Sequence, residues 1–225
     1  MSPTAHLEAL AEPSRRLLGR LAAFDWAADL YLAGSAALTL YLGHRPVRDL
    51  DLMGVRRLHS PERRDLLQDL LAMDPEVRVE RARDGFLAVR CSESLGGVGL
   101  RLYYFPYPLI DPEDEVEGVA VASLVDLALM KMAAITSRAG RRDVADLYLI
   151  TRHLDLESLL ERGPEKFGHV RDFSLLALQG LADLGATRDE PLPTLTVDLA
   201  WESIEAWVAG DVRDLARRQI GLDRG

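Results

Sequence analysis

The hydrophobic pattern of the chain changes character about halfway along its length. In the first half, short apolar runs typical of strands alternate with helical patterns, whereas from Ser123 onward the apolar spacing is helical. This change predicts an α+β fold, in which an N-terminal α/β lobe with a mixed sheet, residues 1–117, precedes a C-terminal helical lobe, residues 118–225. The acidic segment at residues 111–117 is the predicted boundary.

Within the first lobe, an apolar run at residues 30–33 ends at Gly34 and is followed by a helical pattern at residues 36–42. This order predicts a strand, a Gly-Ser turn and a helix. Ser60 and Pro61 have the residue types of the N-cap and the first position of another helix. Further strands are predicted at residues 48–53, 76–81, 86–91 and 98–105.

In the second lobe, Ser123 and Asp126 have the spacing of a helix cap. The helix that they open is predicted to run to about Arg138, before Gly140 ends it. A second helix is predicted to start near Arg142. The remaining helices are predicted at residues 156–161, 172–183 and 201–218.

The composition and net charge of the chain argue against several classes of protein. Among the 225 residues, 36 acidic against 27 basic side chains give a net charge of −9, which disfavours non-specific binding to polyanions. The longest uncharged segment is shorter than the roughly 20 apolar residues of a membrane span, and the first residues lack the pattern of a secretory signal. We therefore expect a cytoplasmic protein without a membrane span. Cys91 is the sole cysteine, which excludes an internal disulfide and a cysteine-rich zinc site.

The segment from Gly34 to Asp51 carries the strongest chemical signal. Successive side chains of a strand point to opposite faces, so Asp49 and Asp51 are predicted to project from one face about 7 Å apart, close enough to bind one divalent cation. Gly34 and Ser35 lie where a strand turns into a helix, and the unpaired N–H groups at a helix N-terminus favour phosphate oxygens. Together the two features predict a site for a metal-bound triphosphate.

Two blocks of the sequence are similar to a known family. The first is YLAGSAALTLYLGHRPVRDLDLMG, residues 31–54. The second lies at residues 103–150, where a lysine on a predicted helix is followed by an R…[KR]D-x-x-D-L segment. In both blocks the chain resembles the abortive-infection (AbiEii/AbiGii) nucleotidyltransferase toxins, within the DNA polymerase beta superfamily. The resemblance implies an enzyme that moves a nucleoside monophosphate from an NTP to an acceptor, with Mg²⁺ or Mn²⁺ as cofactor.

In the first block, the resemblance implies a phosphate-binding turn and a metal-binding pair. Gly34 and Ser35 match the turn. Asp49 and Asp51 match the pair, and both are catalytic residues in this interpretation. The superfamily often places a third carboxylate on a later strand, but the run at residues 98–105 offers only Arg101 as a charged residue, so the number of metals stays open.

In the second block, the resemblance implies a catalytic lysine and carboxylate. Lys131 and Asp143 take these roles, and Lys131 is one of only two lysines in the chain. A compact ammonium suits the β- or γ-phosphate, and Arg138, seven residues on, shares its predicted helix face. Arg142 and Asp146 complete the predicted nucleotide-binding set.

The acceptor has several candidates. The resemblance implies a toxin that modifies RNA, including tRNA 3′ ends, and that can be paired with a cognate antitoxin. The net charge keeps a small-molecule or protein acceptor as an alternative. A third hypothesis is a catalytically silent module that binds a nucleotide or a partner protein. A tRNA acceptor would require arginines to gather on one face, and the predicted set is Arg45, Arg48, Arg138, Arg141 and Arg142.

Overall fold

The computed structural model describes residues 2–137, 140–184, 190, 191, 193–219 and 221. The chain forms two compact units, Met1–Ser123 and Leu124–Gly225. The first unit contains a mixed sheet with helices, and the described part of the second is helical, which confirms the predicted α+β fold. Residues 117 and 118, the predicted boundary, form the turn between the last two strands of the sheet.

In chain order, the strands of the described residues are β1 Tyr31–Ala33, β2 Leu50–Gly54, β3 Arg78–Arg83, β4 Phe86–Arg90, β5 Gly99–Tyr104, β6 Asp114–Val116 and β7 Val119–Val121. They form one sheet in the spatial order β3-β4-β5-β2-β1-β7-β6. The β1–β7 and β2–β5 pairs are parallel, and the other pairs are antiparallel. In the central pair, β2 and β5, Leu50 and Leu52 lie opposite Leu100 and Leu102, and all four are fully buried. Asp51 and Arg101 alternate with these leucines and therefore face the other side.

Among the described residues, three α-helices accompany the sheet: α1 Glu12–Leu21, α2 Gly34–Leu42 and α3 Ser60–Met73. Strand β1 runs directly into α2, which confirms the predicted strand and helix, and Gly34 is the first helical residue. Helix α3 starts one residue earlier than predicted, because His59 takes the N-cap position and Ser60 is already helical.

In the described residues of the second unit, the α-helices are α4 Leu124–Ser137, α5 Arg141–Ile150, α6 Leu156–Phe167, α7 Phe173–Ala182, α8 Trp201–Trp207 and α9 Arg213–Gln219. Residues Val208–Val212 form a π-helical turn that joins α8 to α9. Helix α4 packs against α5, α6 and α7, and its Leu129 and Met132 are fully buried. No helix in the described parts of the chain has the length and apolar character needed to span a membrane.

Candidate active site

The junction between β1 and α2 brings the backbone of Gly34 against the side chain of Asp51. Ala33 is paired with Asp51 in the antiparallel β1–β2 ladder, so the next residue lies beside the carboxylate. Gly34 has a φ of +60°, and a Cβ atom at this position would lie 2.7 Å from Oδ2 of Asp51. Glycine alone tolerates this backbone conformation together with so close an approach. The junction between β1 and α2 therefore depends on Gly34.

Asp49 and Asp51 lie on one side of the sheet, where both accept hydrogen bonds from the guanidinium of Arg101. Nη2 of Arg101 donates to Oδ2 of Asp49 at 2.7 Å, and Nη1 donates to Oδ1 of Asp51 at 3.1 Å. Arg101 reaches both carboxylates because β5 runs parallel to β2 with Arg101 opposite Asp51. The side chain of Arg101 is 33% exposed, and those of Asp49 and Asp51 are 29% and 20% exposed. The cluster is therefore open to solvent.

Asp49 is held by two further donors. Its Oδ1 accepts hydrogen bonds from the backbone N–H of Gly99 and from Nη1 of Arg90, both at 3.0 Å. Arg90 is itself anchored by Glu80, whose Oε1 lies 2.8 Å from Nε of Arg90. A Cβ atom on Gly99 would lie 2.7 Å from Cγ of Asp49, so this position also needs a glycine. Asp49 thus has donors on both oxygens, whereas Oδ2 of Asp51 faces Gly34.

Ser35 contacts a buried arginine at the start of α2. Its hydroxyl accepts a hydrogen bond from Nη2 of Arg45 at 2.6 Å. Nε of Arg45 donates to Nε2 of His44 at 3.1 Å, and both of these side chains are buried. The guanidinium adds positive charge at a helix end that already favours anions. Of the predicted arginine set, Arg45 is buried, whereas Arg48 is exposed.

Sequence reasoning missed the residues that hold the carboxylate pair, Arg90, Gly99 and Arg101. A glycine near the start of a predicted strand is one signal of close backbone approach. The arginines gave no such signal, because they bind Asp49 across 41 and 52 positions of sequence through the strand register. No group of three or more His, Cys, Asp or Glu side chains in the described residues is arranged to hold a metal.

In the helical unit, the structure brings together three of the predicted residues. Nζ of Lys131, on α4, lies 2.8 Å from Oδ1 of Asp143 and 2.7 Å from Oδ2 of Asp146, both on α5. The two aspartates are three residues apart and therefore share one face of α5. Burial lowers the pKa of Lys131, but the charges of Asp146 and Asp143 outweigh this effect and leave the pKa of the ammonium raised.

The described arginines among those predicted near this cluster differ in their exposure and in their contacts. Arg142 is exposed in the first turn of α5, next to the buried Asp143. Arg141 is held by the carbonyl of Glu190, at 2.9 Å from its Nη1, and by the ring of Trp201, whose centroid is 4.8 Å from its Cζ. Arg138 lies outside the described residues.

The other lysine also lies in a buried ion pair. Nζ of Lys166, on α6, is 2.7 Å from Oδ1 of Asp126, on α4, and neither side chain has exposed surface. The sequence predicts only a capping role for Asp126, and the contact with Lys166 corrects that interpretation. Burial lowers the pKa of Lys166, and the hydrogen bond and charge of Asp126 offset this only in part. The pair links α4 to α6.

Comparison with known proteins identifies the family to which this chain belongs. The family model described as "Nucleotidyl transferase AbiEii toxin, Type IV TA system" matches residues 16–214. The chain belongs to the AbiEii nucleotidyltransferase toxin family. The match covers most of both units, including Gly34 and the clusters around Arg101 and Lys131. The predicted resemblance is confirmed, and the AbiEii chain is a nucleotidyltransferase.

Three proteins that are similar to this AbiEii chain share at most about a quarter of its residues. An uncharacterized protein of Aquifex aeolicus (strain VF5) is 26% identical over 213 residues, which cover 91% of this chain and 97% of the relative. A crystal structure of a candidate nucleotidyltransferase from H. pylori is 17% identical and covers 96% of this chain and 100% of its own, with a TM-score of 0.56. MenT4, a nucleotidyltransferase toxin from Mycobacterium tuberculosis H37Rv, is 16% identical, covers 95% of this chain and 91% of its own, and has a TM-score of 0.48. The H. pylori structure supports the nucleotidyltransferase fold.

Proposed function

We propose that this AbiEii protein transfers a nucleoside monophosphate from an NTP to an acceptor in a reaction that requires Mg²⁺ or Mn²⁺. The observation that carries the proposal is the convergence of Asp49 and Asp51 on one positive group, Arg101, beside the first residue of α2. A carboxylate pair suits a divalent cation, and a helix N-terminus suits phosphate. Side by side, the two suit a metal-bound triphosphate.

The donor set fits a magnesium ion. Mg²⁺ is usually bound through one or two carboxylates and keeps its other positions for water and substrate phosphates. Asp49 and Asp51 already share one positively charged group, so Oδ2 of Asp49 and Oδ1 of Asp51 converge as such a pair requires. When bound, the ion would neutralise charge on the phosphates. Among the described residues, no third carboxylate is arranged with this pair to hold a metal.

The phosphates would bind at the start of α2. The first N–H groups of a helix have no partner within the helix, and Gly34 lets a ligand approach this backbone closely. Arg45, behind Ser35, adds positive charge at the same end. Phosphoryl chemistry depends mainly on positioning and electrostatics. These groups would therefore supply a large part of the rate enhancement.

Lys131, Asp143 and Asp146 form a second proposed cluster of catalytic and nucleotide-binding residues, which lies within the helical unit. Asp146 has no exposed side-chain surface, so we assign it to holding the ammonium, whereas the Asp143 side chain keeps 9% exposure and is the proposed catalytic carboxylate. An ammonium has three N–H donors, so Lys131 can bind both Asp143 and Asp146 and still have a third donor for a phosphate. Arg142, which is exposed, and Arg138 are proposed to extend the phosphate contacts.

RNA, including tRNA, is the proposed acceptor. The support is the family description, which is that of a toxin in a type IV toxin–antitoxin system. That description also implies a cognate antitoxin. The net charge of −9 favours a small molecule or a protein as the second candidate acceptor.

Induced expression in a bacterial host tests the proposal. We expect the wild-type chain to arrest growth and to transfer label from one of four α-³²P-labelled NTPs to total RNA. Asp51→Asn, which keeps the side-chain shape but removes the charge, should lose both effects. Asp65→Asn makes the same change on the exposed face of α3 and should keep both. If Asp51→Asn retains arrest and transfer, the proposed function is wrong. Label on a small molecule or a protein would move the assignment to the second acceptor.

A further inference from the structure

We infer that Arg101 is an internal counter-ion that competes with a divalent cation for Asp49 and Asp51, so that free metal binds the resting protein weakly. The inference rests on the proposed function of the carboxylate pair as a metal site. It concerns a residue that binds neither the phosphates nor the acceptor in that proposal. Arg101 would set the metal concentration at which the carboxylate pair becomes occupied by the cation.

The geometry of the contact makes the competition direct. The guanidinium donates one N–H to an oxygen of each carboxylate, at 2.7 Å to Asp49 and 3.1 Å to Asp51. These are the two oxygens that converge, and a metal ion shared by the pair would need the same oxygens. Forked contacts of arginine with carboxylates are among the stronger hydrogen bonds in proteins. A metal that binds both carboxylates must therefore displace Arg101 from at least one of them.

The surroundings allow this displacement. Two-thirds of the Arg101 side chain is covered and one-third is exposed, so the guanidinium can turn to solvent while its stem stays on the sheet. Arg90 is less able to take over its role, because Arg90 is already shared between Glu80 and Asp49. Without Arg101, Asp51 would lose this cation, and Asp49 would keep the guanidinium of Arg90, which it shares with Glu80. That excess of negative charge would attract a cation strongly.

The test is Mn²⁺ binding to the purified full-length protein without nucleotide, measured from the electron paramagnetic resonance signal of free Mn²⁺. We expect Arg101→Gln to bind Mn²⁺ about tenfold more tightly than the wild type, because the competitor is gone while a polar side chain remains. Arg101→Lys should lie between the two, since an ammonium cannot fork across both carboxylates. Arg81→Gln, on the exposed edge strand β3, removes the same charge and should change the affinity less than twofold.

The outcomes separate this inference from the proposed function. If Arg101→Gln and Arg101→Lys bind Mn²⁺ no more tightly than the wild type, while Asp51→Asn abolishes binding, the carboxylates bind metal but Arg101 does not compete for them. If Asp51→Asn binds Mn²⁺ as the wild type does, the pair is not the metal site and both proposals fail. Thermal unfolding of each variant identifies loss of fold, and Arg101→Lys keeps the test decisive if Arg101→Gln does not fold.

Discussion

Two glycines determine where the acidic side chains of the candidate site can lie. Gly34 has its backbone against Oδ2 of Asp51, and Gly99 has its backbone against Cγ of Asp49. At both positions a methyl group would occupy space that a carboxylate now fills. At the scale of single residues, the site therefore depends as much on the absence of two side chains as on the presence of the acids.

Replacing Gly34 with alanine should damage both stability and metal binding. A left-handed conformation costs a non-glycine residue about 1–2 kcal/mol, and the new Cβ would also push Asp51 away. We expect the free energy of unfolding in urea to fall by at least that amount, and Mn²⁺ binding to weaken. The matched control is Gly210→Ala, where a Cβ would meet no atom within 4 Å and the measured stability should stay the same or rise. Equal free energies of unfolding for Gly34→Ala and Gly210→Ala would contradict the proposed need for glycine at position 34.

The single cysteine should be inert in the folded protein. Burial, reinforced by the charge of Asp74, raises the pKa of Cys91 to about 11, and the residue is 3% exposed. At pH 8 only about a thousandth of the thiol would be ionised, and the thiolate is the reactive form. We expect iodoacetamide to label the native protein at least about 100-fold more slowly than the urea-unfolded chain, as followed by mass spectrometry. Similar rates in the two states would show that this side chain is accessible.

At the scale of elements, α4 is tied to two neighbours by buried charge. Lys131 connects it to α5 through Asp143 and Asp146, and Lys166 connects α6 to its Asp126. Buried ion pairs add little to stability compared with apolar packing of the same volume, but loss of one partner leaves a buried charge without compensation. The relative placement of these helices is therefore sensitive to single substitutions.

We expect Lys166→Met to be among the most destabilising single substitutions in the helical unit. It leaves Asp126 buried without its cation, a situation that costs about 3–5 kcal/mol in other proteins. We expect urea unfolding to show a loss in this range. Arg217→Met, which breaks the exposed contact with Asp214, should cost less than about 1 kcal/mol.

A double variant provides the second check on this pair. Asp126→Leu combined with Lys166→Met removes both charges and should restore most of the stability lost in Lys166→Met alone. If the double variant is as unstable as the single one, shape and not charge accounts for the loss.

The sequence predicted local structure well and long-range contacts poorly. The run before Gly34 predicted β1 and α2, and a two-residue spacing predicted that Asp49 and Asp51 share a side, because both features depend on neighbouring residues. The contact of Arg101 with these acids depends on which strands are adjacent, and that of Lys166 with Asp126 on helix packing. Periodicity contains no information on either. The grouping of Lys131 with Asp143 came from family resemblance and not from physical reasoning.

At the scale of the whole molecule, the charge restricts how an RNA could bind. The net charge is −9, and of the arginines predicted to gather on an RNA-binding face, Arg45 and Arg141 are engaged by their neighbours, so this predicted set offers few positive groups to an RNA. Each neutralised phosphate of a single strand adds about −0.7 to the slope of log affinity against log salt concentration.

We expect tRNA binding by this protein to show a shallow salt dependence, with a slope no steeper than about −3 between 50 and 200 mM KCl, corresponding to about four contacts. Filter binding of labelled tRNA to the Asp51→Asn protein measures it without turnover. Arg142→Gln should make the slope shallower, and Arg217→Gln, on α9, serves as an exposed control. A slope near −6 would indicate a basic surface that these residues do not account for.

The chain contains 25 arginines and only two lysines, and both lysines lie inside ion pairs of the helical unit. An endoproteinase that cleaves only after lysine therefore has just two target bonds in the entire polypeptide, each protected by folded helices. Digestion by such a protease would begin only when this unit opens, and its rate would measure how often that happens. The unusual amino-acid usage thus provides a built-in reporter of local unfolding that requires no label.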